Sequence, residues 1–327
     1  MKTDNDALLQ VVGLTTYFIS FGGKRVVKAV EKVSFQANQG DTLALIGESG
    51  CGKSTVALSI LRVLPTAGKT LDGKILFEGE DLLKKSQKEM TQIRGKKVSM
   101  ILQDPMMSLD PVFTVGYQIR ETLRKHTSLR GGSLLQRMKG LLLSVRIPEP
   151  ARRLKQYPHE MSGGMRQRIV GAIAFSCEPK LLIADEATTN LDVTIQLQYL
   201  NLLREIQQKT GVTLLFITHN LGIVAEMCKY VIVMYAGKIV ERSPVMELFD
   251  APVHPYSKAL LESAFGLRDL GKRIAIPGEP PDLSNVPPGC SFNPRCPVAD
   301  DRCKVEEPPE ISLSDTRSVK CWHPIKT

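Results

Sequence analysis

No apolar run in this chain is long enough to cross a bilayer, so nothing in it reads as an integral membrane segment. The first ten residues, MKTDNDALLQ, place acids where a secretory signal needs an apolar run. These two absences point to a cytosolic protein, or to one held peripherally on the cytosolic face of a membrane. Aromatics make up only 6% of the chain, and no basic run has aromatics interleaved. A nucleic-acid platform that stacks bases on rings therefore has little to build on. No heptad pattern is sustained, so no long coiled coil is expected.

What is present suits a soluble globular protein. The chain has 327 residues, 43% apolar and 24% charged, enough for one large or two modest domains with a real core. Its formal net charge is +9. That excess suits attraction to nucleic acid, nucleotide or anionic lipid, and equally an ordinary basic surface. Of seven cysteines, Cys51, Cys177 and Cys228 are scattered, whereas Cys290, Cys296, Cys303 and Cys321 cluster near the end. In a reducing compartment such a cluster more often marks a metal site than disulfides.

The stretch IGESGCGKST, from Ile46 to Thr55, fits the phosphate-loop pattern G-x-x-x-x-G-K-S/T through Gly47, Gly52, Lys53 and Ser54. The apolar TLAL before it reads as a buried strand and KSTVALSILRVL after it as a helix, the context this pattern requires. Glycines let successive N–H groups turn into one concavity, here formed by Gly47, Ser49, Gly50, Cys51 and Gly52. The helix behind adds roughly half a positive charge. Lys53 can then reach the β- and γ-phosphates, and the hydroxyls of Ser54 and Thr55 lie beside them, with Ser54 placed to ligate Mg²⁺.

The run LLIADEA (residues 181–187) reads as a buried strand ending in two acids. Asp185 is placed to hold Mg²⁺ through water, and Glu186 to orient or deprotonate the attacking water. In HEMSGGMRQRIVGAIAF (159–175), Ser162 can cap a helix whose first turn Gly163 and Gly164 leave open to an anion. A simple N-cap is the plainer reading of that stretch taken alone. Phosphate loop, SGG before a helix, Asp-Glu strand and ITHN (217–220) together form an ordered set.

This set resembles the ATP-binding subunit of an ABC transporter, and the resemblance covers nearly the whole chain. GESGCGKST is similar to the Walker A loop, LLIADE to Walker B, and MSGGM to the signature usually written LSGGQ. The resemblance implies roles residue by residue. Gln103 in ILQDP would be the glutamine that contacts Mg²⁺ and attacking water and senses the transmembrane partner. Asp192 in TTNLD would be the D-loop aspartate, and His219 the switch histidine on the γ-phosphate. Phe18 sits where the family places an aromatic against adenine, with Tyr17 and Phe21 close enough to compete and strand packing the plainer role for all three. Met161, Met165, Ala187 and Asn190 depart from the usual Leu, Gln, Pro and Ala. None of the four removes a phosphate ligand or the base. In this family the signature completes the partner's site, so an effect of Met165 is expected there.

The implied fold is α/β: a P-loop ATPase core with a β-rich subdomain, a mostly helical subdomain over about residues 104–180, and a small Cys/Pro-rich extension. Residues 1–251 form the ATPase domain and 252–327 the extension. Half of the 20 prolines fall between 277 and 324, and the stretch IPGEPPDLSNVPPGCSFNPRCPVADDRC cannot be long helix or central strand. A loop-rich module needs a staple, and four cysteines offer one. Five, six and seventeen residues separate them, unlike the two to four between paired zinc ligands. Four thiolates are also the usual set for an iron–sulfur cluster.

HPYSKALLESA, IPGEPPDL and PPGCSFNPRCPVADDRC resemble the C-terminal extension of the dipeptide and oligopeptide importer ATPases. In some of that branch four such cysteines hold a 4Fe–4S cluster. The resemblance implies one here on Cys290, Cys296, Cys303 and Cys321, with zinc and then free thiols as the alternatives. His254 and His323 are read as surface histidines. With one Walker A and no repeat, the chain would supply half of a two-site dimer, paired head to tail with a second ATPase subunit, different or identical. Two transmembrane permease subunits would follow, and indirectly an extracytoplasmic substrate-binding protein. The implied function is an ATPase powering peptide import. Nickel or oligosaccharide import by the same branch is the nearest alternative. A soluble ABC ATPase on nucleic acid, or a redox regulator, is further off.

Overall fold

The structure is a computed structural model describing residues 7–104, 108–189, 191–265 and 275–325. These fall into two compact units, Met1–Lys84 with Phe216–Thr327, and Lys85–Leu215. The first unit opens with β1 (Ala7–Ser20), β2 (Arg25–Asn38), β3 (Thr42–Ile46), β4 (Gly68–Phe77) and β5 (Glu80–Asp81). The second holds β6 (Val98–Ile101) and β7 (Leu181–Asp185). The chain passes back to the first unit within β8 (Thr213–Ile217). It continues through β9 (Tyr230–Tyr235), β10 (Lys238–Pro244), β11 (Glu310–Ser314) and β12 (Arg317–Lys320).

In the first unit, β2, β1, β4 and β5 form a four-stranded sheet in that order, with β1 antiparallel to both neighbours. Side chains alternate across a strand: Leu9 and Val11 of β1 are buried and, after a register shift, Leu14 and Thr16. The same unit carries the run β11–β12–β10–β9–β3. There β3 and β9 are parallel, with Leu43 opposite Tyr230 and Ile46 opposite Val233. Both strands are almost wholly apolar and buried, as parallel strands covered on two faces must be. Their carboxyl ends lie side by side, where ligands of open α/β sheets bind.

The C-terminal segment belongs to this core. Tyr256 and Phe292 share a buried cluster with Ala44 and Ile46 of β3 and Val231, Val233 and Tyr235 of β9. The rings of Tyr235, Tyr256 and Phe292 lie 4.6–5.3 Å apart between centroids. The hairpin β11–β12 joins the sheet through β12, whose Val319 faces Glu241 and Ser318 faces Arg242 of β10. Glu241 has no exposed surface. Its carboxylate accepts from the backbone N–H groups of Val253 and His254 at 3.0 and 2.8 Å and from Arg317 at 3.4 Å. Arg317 also donates to the carbonyl of Ala251. The start of the C-terminal segment is thus tied to β10 and β12 around one buried carboxylate.

In the second unit, β6 and β7 are parallel, Val98 opposite Leu181 and Ile101 opposite Ala184. The rest is mainly helical. Val115–His126 is capped by Thr114 and buries Val115, Ile119 and Leu123 at a four-residue spacing, one stripe of a 3.6-residue period. Its last turn carries Arg124, Lys125 and His126, favourable at the negative end of a helix dipole. Helix Gly131–Ser144 buries Leu134, Met138, Leu141 and Leu142. Gly163–Phe175 and Val193–Thr210 follow.

Candidate nucleotide site and cysteine pocket

The chain leaves β3 at Ile46 and turns at once through Gly47, whose φ is +149°. A Cβ there would lie 2.2 Å from the carbonyl oxygen of Met234 on β9, so no side chain fits. Gly52, at φ +103°, caps the helix Lys53–Leu61. No side chain caps that helix end and no acid sits in its first turn, which leaves its N-terminal N–H groups for an anion. Ser49, Gly50 and Ser54 are exposed. The Lys53 side chain folds back over the loop and donates to the carbonyls of Gly47 and Glu48, both at 2.8 Å. Burial pushes the Cys51 thiol up, against the opposing pull of Lys53.

Glu48 is tied from three sides. Its carbonyl takes Lys53, and its N–H donates to the hydroxyl of Tyr256 at 2.9 Å. Its carboxylate receives Arg295 through two bonds, at 2.7 and 3.0 Å. Arg295 donates further to the hydroxyl of Tyr235 at 3.2 Å and the carbonyl of Pro277 at 2.9 Å. Sequence reading assigned no role to Glu48, Tyr256 or Arg295. The available signal was a carboxylate inside a loop that receives anions, which needs a cation beside it.

In the second unit, Asp185 ends β7 and is 7% exposed. Glu186 follows in the left-handed region, φ +45°, rare for a residue with a side chain and frequent where a site imposes its own geometry. Gln103 donates to its carboxylate at 2.7 Å, so these two site residues meet. The backbone after them is held by Gln167, which donates to the carbonyl of Ala187. Ser162 is the expected cap: its hydroxyl accepts from the N–H of Met165 at 3.3 Å. Gly163 begins the helix, and a Cβ on Gly164 would come within 2.9 Å of Ile195, so the helix start packs closely on Val193–Thr210. Asp192 caps that second helix, accepting from the N–H of Ile195 at 3.0 Å. Asn190 lies outside the described residues.

In the first unit, His219 is exposed just before the helix Leu221–Met227, which Asn220 caps. Of the three aromatics, Tyr17 donates to Glu31 at 3.4 Å and Phe18 lies opposite Val27 and Gly68 in the sheet. Phe21 is 76% exposed.

Cys290, Cys296, Cys303 and Cys321 line one pocket with His254 and His323. Burial pushes all four thiols up, Cys321 to about 12. His323 is exposed and pairs with Asp300 at 2.8 Å. His254 does not lie at the surface: it is 1% exposed, and burial holds its imidazole down near 3. The reason is Glu241, which takes the His254 N–H and draws the backbone inward. Among the described residues, the group of three or more candidate metal donors lying within 4.8 Å of one another is Asp300, Cys303 and His323. Asp300 there already caps the helix Asp301–Val305.

The ABC transporter family model matches residues 30–189, and that of the oligopeptide/dipeptide transporter C-terminal region matches 240–303. The dipeptide transport ATP-binding protein DppD of Bacillus subtilis is 48% identical over 97% of this chain and 95% of its own length. The chain belongs to the ABC transporter ATP-binding proteins. DppD of Escherichia coli is 45% identical over 98% of this chain and 97% of its own. Among solved structures, this ABC chain matches cbiO1 of Clostridium perfringens with a TM-score of 0.64 at 26% identity, over 75% of this chain and 92% of that one. A dimeric ATP-binding cassette bound to ADP and Pi gives 0.65 at 22%, over 72% and 98%, a likeness of fold. The α/β ABC ATPase architecture expected from the sequence is therefore present.

Proposed function

We propose that this chain is the ATP-hydrolysing subunit of an importer for peptides, seated at the cytoplasmic face of a membrane. The observation that carries the reading is a complete phosphate loop joined, in one chain, to the C-terminal region of oligopeptide and dipeptide transporters. Lys53 is the residue to leave the carbonyls of Gly47 and Glu48 for the β- and γ-phosphates. Ser54, Asp185 and Gln103 offer oxygen donors, the set a hard Mg²⁺ ion takes; once bound it neutralises charge on the phosphates. Glu186 accepts the proton of the attacking water, Gln103 orients that water, and His219 meets the γ-phosphate. Phe18 is assigned to the adenine, with Tyr17 and Phe21 as competitors.

Ser162, Gly163 and Gly164 present a helix start to the nucleotide of a second ATPase subunit, with Asp192 capping the helix on which Gly164 packs. That subunit is a different chain by preference, and two permease subunits receive the motion. A substrate-binding protein delivers the peptide from the other side, and nucleic acid is not among the partners.

The cysteine pocket is assigned a 4Fe–4S cluster, with zinc as the alternative. Its four thiols line one pocket, and four thiolates are the usual ligand set of an iron–sulfur cluster. Purification without oxygen, followed by iron, acid-labile sulfide and zinc assays, tests this. About four irons and four sulfides per chain are expected. Zinc alone, or no metal, contradicts the cluster and removes one support for the peptide-importer branch.

A further inference from the structure

We propose that Arg295 is a positioning residue for the phosphate loop, through which the C-terminal module sets the affinity of the site for nucleotide. The proposal deepens the ATPase reading and rests on it.

The Arg295–Glu48 pair is bidentate, and its side chains are 4% and 23% exposed. Such a fork–fork pair fixes direction as well as distance. It fastens the loop residue that follows Gly47, while Tyr256 fastens the N–H of the same residue. Both partners come from beyond residue 252, the first from the proline-rich segment and the second from the helix Pro255–Phe265. The rings of Tyr235 and Phe292 lie under the guanidinium at 5.8 and 6.0 Å, which holds its plane. A third tie runs alongside: the N–H of Lys28 on β2 donates to the carbonyl of Leu283 at 2.9 Å.

Charge gives the pair a second effect. Glu48 lies five residues before Lys53, in the loop that receives a polyanion, and an unpaired carboxylate there repels it. Arg295 cancels that charge. Without Arg295 the part-buried Glu48 carboxylate loses its bidentate partner and stays negative, the costly half of a broken pair.

The position of Arg295 also links the two sites. It ends the single turn Asn293–Arg295, directly before Cys296. That turn is fastened to Cys290 by the side chain of Asn293, which donates to the Cys290 carbonyl at 2.8 Å. Whatever holds Cys290 and Cys296 in place holds Arg295 against the loop.

The test uses the full chain, with ATP affinity by titration and steady-state ATPase. Arg295→Ala is expected to weaken ATP binding on the order of tenfold, the worth of a charge-assisted contact, with the loss falling mainly on KM. Arg295→Lys, which keeps charge but not the fork, is expected between the two. In Glu48→Gln/Arg295→Ala the unpaired charge is gone, and part of the affinity should return. Tyr256→Phe removes one hydroxyl and keeps the ring, so it decides the matter if Arg295→Ala does not fold; a loss of about threefold is expected there. Unchanged ATP affinity in a folded Arg295→Ala chain overturns the proposal, as does a double variant no better than the single, or an unaltered Tyr256→Phe. A parent chain that binds no ATP would instead overturn the ATPase reading.

Discussion

Glu48 and Lys53 show how much of the site rests on single residues. The amine of Lys53 spans the loop from behind, on the carbonyls of Gly47 and Glu48. Its removal takes away both that brace and the cation for the phosphates. Lys53→Ala is expected to bind ATP about tenfold to a hundredfold more weakly, as for the loss of a charged hydrogen bond of about 1.5–3 kcal/mol. An unchanged ATP titration would contradict the phosphate-loop assignment. The positive φ of Gly47 and Gly52 and the helix start at Lys53 could be read in sequence, because the spacing is local. The tie from Glu48 to Arg295 could not, since the two stand 247 residues apart and nothing local pairs them. The left-handed backbone of Glu186 was equally invisible, because surroundings rather than propensity impose it.

At the scale of elements, strands were legible where burial on both faces made them continuously apolar, as in β3, β7 and β9. Helices were legible where a four-residue spacing of apolar side chains survived, as in Val115–His126. The hairpin β11–β12 was not. Glu310–Ser314 alternates polar with apolar, but every residue of it is exposed and the prolines before it suggested irregular chain. Its place is set instead by pairing to β12 and by Arg242, which bonds Glu310. The His254 position was misread for a related reason, because its burial depends on Glu241 in another strand. That carboxylate is fully buried and satisfied by two N–H groups and Arg317. Glu241→Ala leaves both N–H groups without their acceptor and takes the buried carboxylate from Arg317, which keeps only the Ala251 carbonyl and the half-exposed Glu247. A loss of about 3–5 kcal/mol in unfolding free energy is expected, the cost of breaking a buried pair, read by denaturant titration. A variant as stable as the parent would contradict this account of how the C-terminal segment is held.

On the scale of the whole molecule, the C-terminal extension is built into the first unit rather than appended to it. Its Phe292 lies in the same core as β3 and β9, and its Arg295 reaches the phosphate loop. Loss of the module is therefore expected to alter nucleotide binding as well as stability. The central claim remains ATP hydrolysis with Glu186 as the base, in a dimer that closes on ATP. Glu186→Gln keeps a partner for Gln103 and removes the proton acceptor. The most direct measurement is the steady-state ATPase rate of this variant, with native mass in ATP read alongside. Turnover is expected to fall by about a hundredfold or more, the worth of a general base, while ATP still binds and the closed dimer accumulates. A variant that hydrolyses ATP at the parent's rate would contradict the account.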